Sequence, residues 1–381
     1  MLTALCLSIV TTLSSPAPAL DVPAEPAGGL KRGAFFGARI RSVEEEARKR
    51  LRLDAGTGIA IEQVIPGSTA EAARFQAGDV LVALDGVKIT GVGEFVRMIG
   101  GRKAGDGVTI DLRRGDAARK EKVTLKGRPL ETSDAFEVIY GAVPSRAGRL
   151  RTILTRPKGA GKHPALFLIQ GVGLFSVDNP IGPLASYKTI ADDFTRHGYV
   201  TLRVDKPGCG DSEGGPARDV DFDTELDGYR QALRMLKARS DVDAEKVFLF
   251  GHSMGGVMAP LLASEVPVQG IVVYGTIART WTEYMLENSR RQLELANTDP
   301  SAIDRQLRDD AALLTYLYAE KLSPREIVAR HPRLRSLLEQ TITEDRYFVD
   351  RSLTFFRQLA DKNLGAAWES FTGHALAIWG K

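Results

Sequence analysis

Cysteine is nearly absent from this chain, with two in 381 residues. The two are Cys6 and Cys209, and no Cys/His cluster has the spacing of a metal site. No metal and no cofactor are therefore expected. The five histidines are few enough to be weighed one by one as catalytic bases. No apolar run reaches the roughly 20 residues that cross a bilayer. A net charge of +3, with no aromatic residues interleaved in a basic stripe, gives no support to a nucleic-acid surface.

What is present fits a globular chain of two domains, with 43% hydrophobic residues to build a sizeable core. Residues 1–19 read as an export leader, apolar and then small, with an A-x-A-like site at Ala17-Pro18-Ala19. The expected location is periplasmic or extracellular. If the leader is removed, Cys209 stands alone. Residues 20–33, rich in Pro, Ala and Gly, read as a linker.

From 34 to 128 short strands alternate with Gly-rich turns. Ser68 or Thr69 suits an N-cap, Asp85-Gly86 a hairpin turn, and "GVGEFVRMIGG" a helix with Phe95, Val96 and Ile99 on one face. The run "PGSTAEAARFQAGDVLVALDGVKI" resembles a PDZ domain of the bacterial type. Such domains hold an extended peptide C-terminus as an added strand, its carboxylate on loop amides. The resemblance implies that role for Gly56, Thr57, Gly58 and Ile59, where glycines let amides converge on an anion. The alternative is a plain tight turn.

After residue 135 the pattern changes. "AFEVIYGAV" and "RLRTILTRP" suggest a hairpin. Apolar strands "ALFLIQ", "YVTLRV", "KVFLFG", "GIVVYG" and "HALAIWG" then alternate with amphipathic helices. One helix carries Tyr187, Ile190, Ala191 and Phe194, the next Leu226, Tyr229, Leu233 and Leu236. Strands apolar on both faces imply a doubly wound, mostly parallel α/β sheet over 135–381. A charged, helix-rich insertion at about 277–370 is expected to form a cap. Its Tyr284, Tyr316, Tyr318, Tyr347, Phe355 and Phe356 are candidates for an acyl pocket or for packing between helices.

Gly251-His252-Ser253-Met254-Gly255 fits G-x-S-x-G between an apolar strand and a helix. That arrangement raises a serine hydroxyl above the carboxyl edge of the sheet. With "LIQGVG" and "VDKPGCGDSEGG", the segment resembles the α/β-hydrolase superfamily, closest to bacterial carboxylesterases and serine-aminopeptidase-like hydrolases. The resemblance implies Ser253 as nucleophile, Gly251 and Gly255 as elbow residues, and the amides of Met254 and Val172 as the oxyanion hole. Gly173 is the neighbouring alternative to Val172. Gln170 replaces the family's histidine and is expected to anchor its loop by hydrogen bonds. Cys209 reads as a small loop residue, and Asp205 and Asp211 as loop-fixing groups.

A serine needs a base and the base an orienting acid. His163, His197 and His374 belong to the wrong edge of the sheet, His252 should point elsewhere, and His331 lies in the cap. No carboxylate follows "GIVVYG" or "HALAIWG". The triad acid and histidine are expected beyond Lys381, the chain reading as a C-terminally truncated hydrolase. Three functions remain: an exported esterase with a PDZ module that binds a partner or regulates, an aminopeptidase-like serine peptidase, and a non-catalytic PDZ-mediated binding protein.

Overall fold

The computed structural model describes residues 29–178 and 185–379. The leader and the linker before residue 29 lie outside the described residues.

A six-stranded antiparallel sheet runs Ala38–Ser42, Ile59–Val64, Val80–Leu84, Gly107–Arg114 and Ala117–Thr124 in spatial order, with Val87–Lys88 paired to Val80–Leu84 off that path. Its core holds Phe36, Ile59, Ile61, Leu81, Phe95, Ile99 and Ile110. Asp85 and Gly86 both take positive φ, 51° and 80°, as a two-residue hairpin turn requires. Ser68 caps the helix Thr69–Ala72 by accepting from the Glu71 amide at 3.2 Å. The helix Val92–Gly100 buries Phe95 and Ile99, but Val96 is 57% exposed. That corrects the three-residue face: neighbouring helical residues diverge by about 100°, and the covered stripe is only one i, i+4 row wide. A further helix, Glu45–Arg50, buries no residue and has acidic residues in its first turn and basic ones in its last. Charge ordered along the dipole supports it, not an apolar stripe.

The second sheet has seven strands: β1 (Phe136–Ser145), β2 (Gly148–Pro157), β3 (His163–Ile169), β4 (Val200–Val204), β5 (Val242–His252), β6 (Gly270–Tyr274) and β7 (His374–Ile378). Their spatial order is β7-β6-β5-β3-β4-β2-β1. Strand β2 runs antiparallel to both of its neighbours, β1 and β4, and β3 through β7 pair in parallel. Helix α1 (Ala185–Arg196) covers one face, where Leu166 and Leu168 meet Tyr187 and Ala191. Phe194, expected on that stripe, is partly exposed and packs edge-on against Tyr199. Helices α2 (Phe222–Lys237) and α3 (Met254–Ala263) cover the other face. There Phe167, Leu202 and Leu249 meet Leu226, Tyr229, Leu233, Leu236 and Met258.

β3 lies between β5 and β4, so successive crossovers leave it in opposite directions. The loops after β3 and β5 therefore meet at the carboxyl edge, where ligands of open α/β sheets sit. Between β6 and β7 the cap runs through helices from Trp281–Leu295 to Leu364–Glu369. Capping boxes at Thr280/Glu283 and Ser323/Glu326 fix two helix starts. No described helix is long and apolar enough to cross a membrane. We predict that Leu233→Ala, which empties a fully buried site between α2 and the sheet, costs about 2–5 kcal/mol. Urea unfolding monitored by circular dichroism measures this, and a loss below about 1 kcal/mol would contradict the packing.

Candidate active site

β5 ends at His252 and α3 begins at Met254, so Ser253 alone makes the turn. Its backbone sits at φ 53°, ψ −118°, a conformation that L-residues adopt only under constraint. Close packing supplies the constraint. A Cβ added to Gly255 would lie 2.1 Å from the Ile169 carbonyl oxygen, and one added to Gly251 would lie 2.5 Å from that of Gly255. The Ser253 amide donates to the Tyr274 carbonyl at 2.9 Å, and the Gly256 amide donates back to Ser253 at 2.9 Å. The Ser253 side chain caps nothing and faces a cavity of about 240 Å³.

Val172 and Met254 line that cavity beside Ser253. The loop after β3 is held by its carbonyl groups. Lys206 Nζ donates to Gly171 O and, at 3.0 Å, to Gly173 O. Arg351 Nε donates to Val172 O at 3.1 Å. In a trans peptide, N–H points opposite to the preceding C=O. With these carbonyls turned to the cations, the amides of Val172 and Gly173 point the other way. Glu225 completes the grip, paired with Arg351 and, at 3.3 Å, with Lys206. Tyr187 OH accepts from the Gly171 amide at 3.3 Å and meets His252 Nδ1 at 3.1 Å. Gln170 is not the anchor expected of it. Its side chain is buried, and neither polar atom has a partner among the described residues. Charged side chains reaching in from two other segments hold the loop instead.

The cap closes the cavity with Ile277, Trp281, Tyr284, Met285, Phe348 and Phe356. Trp281 stacks on Phe356 at 5.4 Å between centroids. Of the six aromatic candidates, Tyr284 and Phe356 reach the cavity, Tyr316 stacks on His331, and Tyr318, Tyr347 and Phe355 are packed in the interior. Asn288 brings a polar side chain from the cap.

All five histidines are described, and their contacts lie elsewhere. His163 Nδ1 faces Gly198 O, and His197 faces Asp193. His252 stacks on Tyr274, and burial lowers its pKa. His331 stacks on Tyr316 within the cap, and His374 opens β7 at the amino edge. Among the described residues the cavity wall contains no carboxylate and no histidine. Cys209 is buried, and desolvation pushes its thiol up to about 12, which makes it a packed loop residue and no nucleophile. In the first domain, the Thr57 amide donates to Asp54 O and the Gly58 amide to Ile89 O. The Gly56–Ile59 loop thus satisfies these donors internally and does not present converging amides at 57 and 58.

The residues that sequence reasoning missed are Lys206, Glu225 and Arg351. A buried charge leaves no periodic signal; only the Lys206 position, inside "VDKPGCGDSEGG", lay within a recognised motif.

Residues 184–325 match the family model "Serine aminopeptidase, S33", and residues 34–125 match "PDZ domain". Esterase EstD of Thermotoga maritima is 31% identical over 132 residues, 35% of this chain and 31% of the relative. Periplasmic serine endoprotease DegP of Escherichia coli is 29% identical over 125 residues, 32% of this chain and 26% of the relative. The chain spans about a third or less of the length of these curated relatives. Among solved structures, the alpha/beta hydrolase GrgF from Penicillium aligns with a TM-score of 0.38 and 18% identity, over 64% of this chain and 90% of that one.

Burial lowers the Lys206 ammonium pKa from 10.5 to about 8, against the support of Glu225. The unfolded chain then binds more protons between about pH 8 and 10.5, so this group's contribution to stability grows as pH rises through that window. We predict that the stability difference, wild type minus Lys206→Met, becomes more positive between pH 7 and pH 9.5 in urea titrations. A difference that stays flat or falls would refute the burial argument. The elbow, the sheet order and the two family matches agree, and the chain carries a PDZ domain followed by a hydrolase domain of the α/β-hydrolase superfamily.

Proposed function

We propose that the protein is an exported serine hydrolase that cleaves carboxylic esters through an acyl-enzyme on Ser253. The observation that carries this reading is the strained Ser253 lining a largely apolar cavity together with Met254 and Val172. In the proposed reaction, Ser253 Oγ attacks the ester carbonyl and a base takes its proton. The amides of Met254 and Val172 then hold the oxyanion. Each such donor is worth about 10²–10³ in rate. The alcohol leaves, and water releases the acid from Ser253.

Neither the base that takes this proton nor the acid that orients it is among the residues that line the cavity. The apolar wall of Ile277, Trp281, Tyr284, Met285 and Phe356 suits a short-to-medium acyl chain. An aminopeptidase, the activity that the matched family model is named for, would need a carboxylate to bind a free amine. The cavity wall described here is apolar apart from Ser253, Thr276 and Asn288, which favours the ester.

The PDZ domain is proposed to take an extended peptide on its edge strand Ala38–Ser42, beside the helix Val92–Gly100. Export rests on the apolar leader, and the periplasmic names of the DegP relatives accord with it.

The test is turnover of p-nitrophenyl acetate, butyrate and octanoate by the full-length protein. Ester hydrolysis that falls about 10³-fold or more in Ser253→Ala is the expected result. Faster cleavage of aminoacyl p-nitroanilides than of esters would make it a peptidase. No turnover of either class, with no labelling of Ser253 by a fluorophosphonate, would leave only a binding protein.

A further inference from the structure

The hydrolase domain buries an acidic trio behind the oxyanion loop. Asp178, at the end of that loop, and Asp205 and Asp211, after β4, have side chains at most 4% exposed. Their own domain supplies one buried cation. Arg151 on β2 reaches Asp205 at 2.6 Å, Asp178 at 2.9 Å and Asp211 at 3.5 Å, and donates to Ser176 Oγ at 2.6 Å. Three carboxyl groups share one guanidinium within their own domain, and burial raises the Asp205 pKa, so the cluster is short of positive charge.

The missing charge comes from the other domain. Arg32 Nε lies 2.7 Å from Asp211, and Arg128 Nη1 lies 3.2 Å from Asp178. The two arginines flank the short ribbon that closes the PDZ domain, where Ala34–Phe35 pairs with Lys126–Gly127. Arg32 also donates to the Arg128 carbonyl, and Arg128 lies over the Phe35 ring at 4.6 Å. The Gly33 amide donates to Asp211 at 2.7 Å. This segment lies flush on the hydrolase domain, since a Cβ at Gly33 would sit 2.8 Å from the Gly210 carbonyl oxygen. Burial works against ionisation of Asp178, yet Arg151 and then Arg128 hold its carboxyl down at about 2.

The same carboxylates fix the loop. Asp205 accepts from the Val177 amide at 2.8 Å, and Ser176 Oγ donates to Asp178 at 2.6 Å. From Val177 the chain runs back five residues to Val172, whose carbonyl Arg351 holds at the cavity side. One end of the loop is thus braced from within the hydrolase domain, and the other by a charge cluster in which Arg32 and Arg128 of the PDZ domain join Arg151.

We propose that Arg32 and Arg128 of the PDZ domain are positioning residues for the hydrolase site: they complete the charge balance that holds the 171–178 loop and so set its amides against Ser253. For its catalytic half this rests on the reading of Ser253 as nucleophile. Its structural half does not.

The test compares the full-length wild type with Arg32→Gln, Arg128→Gln, the double variant, and Arg128→Lys. Hydrogen exchange at Ser176, Val177 and Asp178 is read together with kcat and KM for p-nitrophenyl butyrate. In the double variant we expect exchange at least tenfold faster at these amides, while those of α2 and the PDZ core keep their protection. We expect kcat to fall at least tenfold with KM changed less than threefold. Arg128→Lys, which keeps the charge, restores most of both. Unchanged loop exchange in a folded double variant overturns the proposal, with or without activity. Faster exchange spread over the whole hydrolase domain overturns it too, since the pair would then be holding the fold and not the loop. If the wild type hydrolyses no ester, the Ser253 reading fails and the exchange data alone decide this one.

Discussion

The site depends on one strained residue. At φ 53° and ψ −118°, Ser253 holds a conformation whose cost, on the order of 1–3 kcal/mol, has to be met by its surroundings. They meet it by leaving no alternative. Gly251, Gly255 and the end of β3 approach so closely that no side chain fits between them. The Tyr274 carbonyl, at the end of β6, fixes the Ser253 amide from the other side. The elbow is therefore a product of three parallel strands, β3, β5 and β6, ending together. A sheet with β3 and β5 apart could not hold it.

The second constraint is electrostatic. A loop that must aim N–H groups at a reacting centre has to turn its carbonyls elsewhere, and buried carbonyls need donors. Here the donors are cations: Lys206 on Gly171 and Gly173, and Arg351 on Val172. Cations give stronger hydrogen bonds than neutral donors, at the cost of burying charge. Glu225 offsets one of the two charges. The residual penalty shows at Lys206, whose pKa drops to about 8 because it is fully desolvated. Positioning of the loop is thus obtained at some expense of stability, as expected where geometry serves chemistry.

This division explains what could be read in the sequence. The elbow was legible because its requirements are local: glycines flanking a serine, an apolar strand before it and small residues in the helix after it. The PDZ turn run and the hairpin at Asp85-Gly86 were legible for the same reason. The charged supports were not. Arg351 and Val172 are 179 positions apart, and Gly33 and Asp211 are 178 apart. Nothing in "VDRSL" marks its arginine as buried, because solvation is decided by which segments meet. Gln170 misled for the converse reason: a polar residue in a recognised loop looked like an anchor, while the fold used distant cations. Val96 misled on a smaller scale, since adjacent apolar residues share a helix face in a sequence more readily than in a packed helix.

Arg351 links the two constraints to the cap. It lies in the second strand of the short hairpin that brings Phe348 and Val349 to the cavity, two residues before the helix that carries Phe356. One segment therefore supplies part of the cavity wall and one of the ties on the loop. Lifting it would break the Arg351–Val172 bond and the Arg351–Glu225 pair together. The cap segment is thus bound to the loop by the charges that orient it, and the shape of the cavity is tied to the position of residue 351.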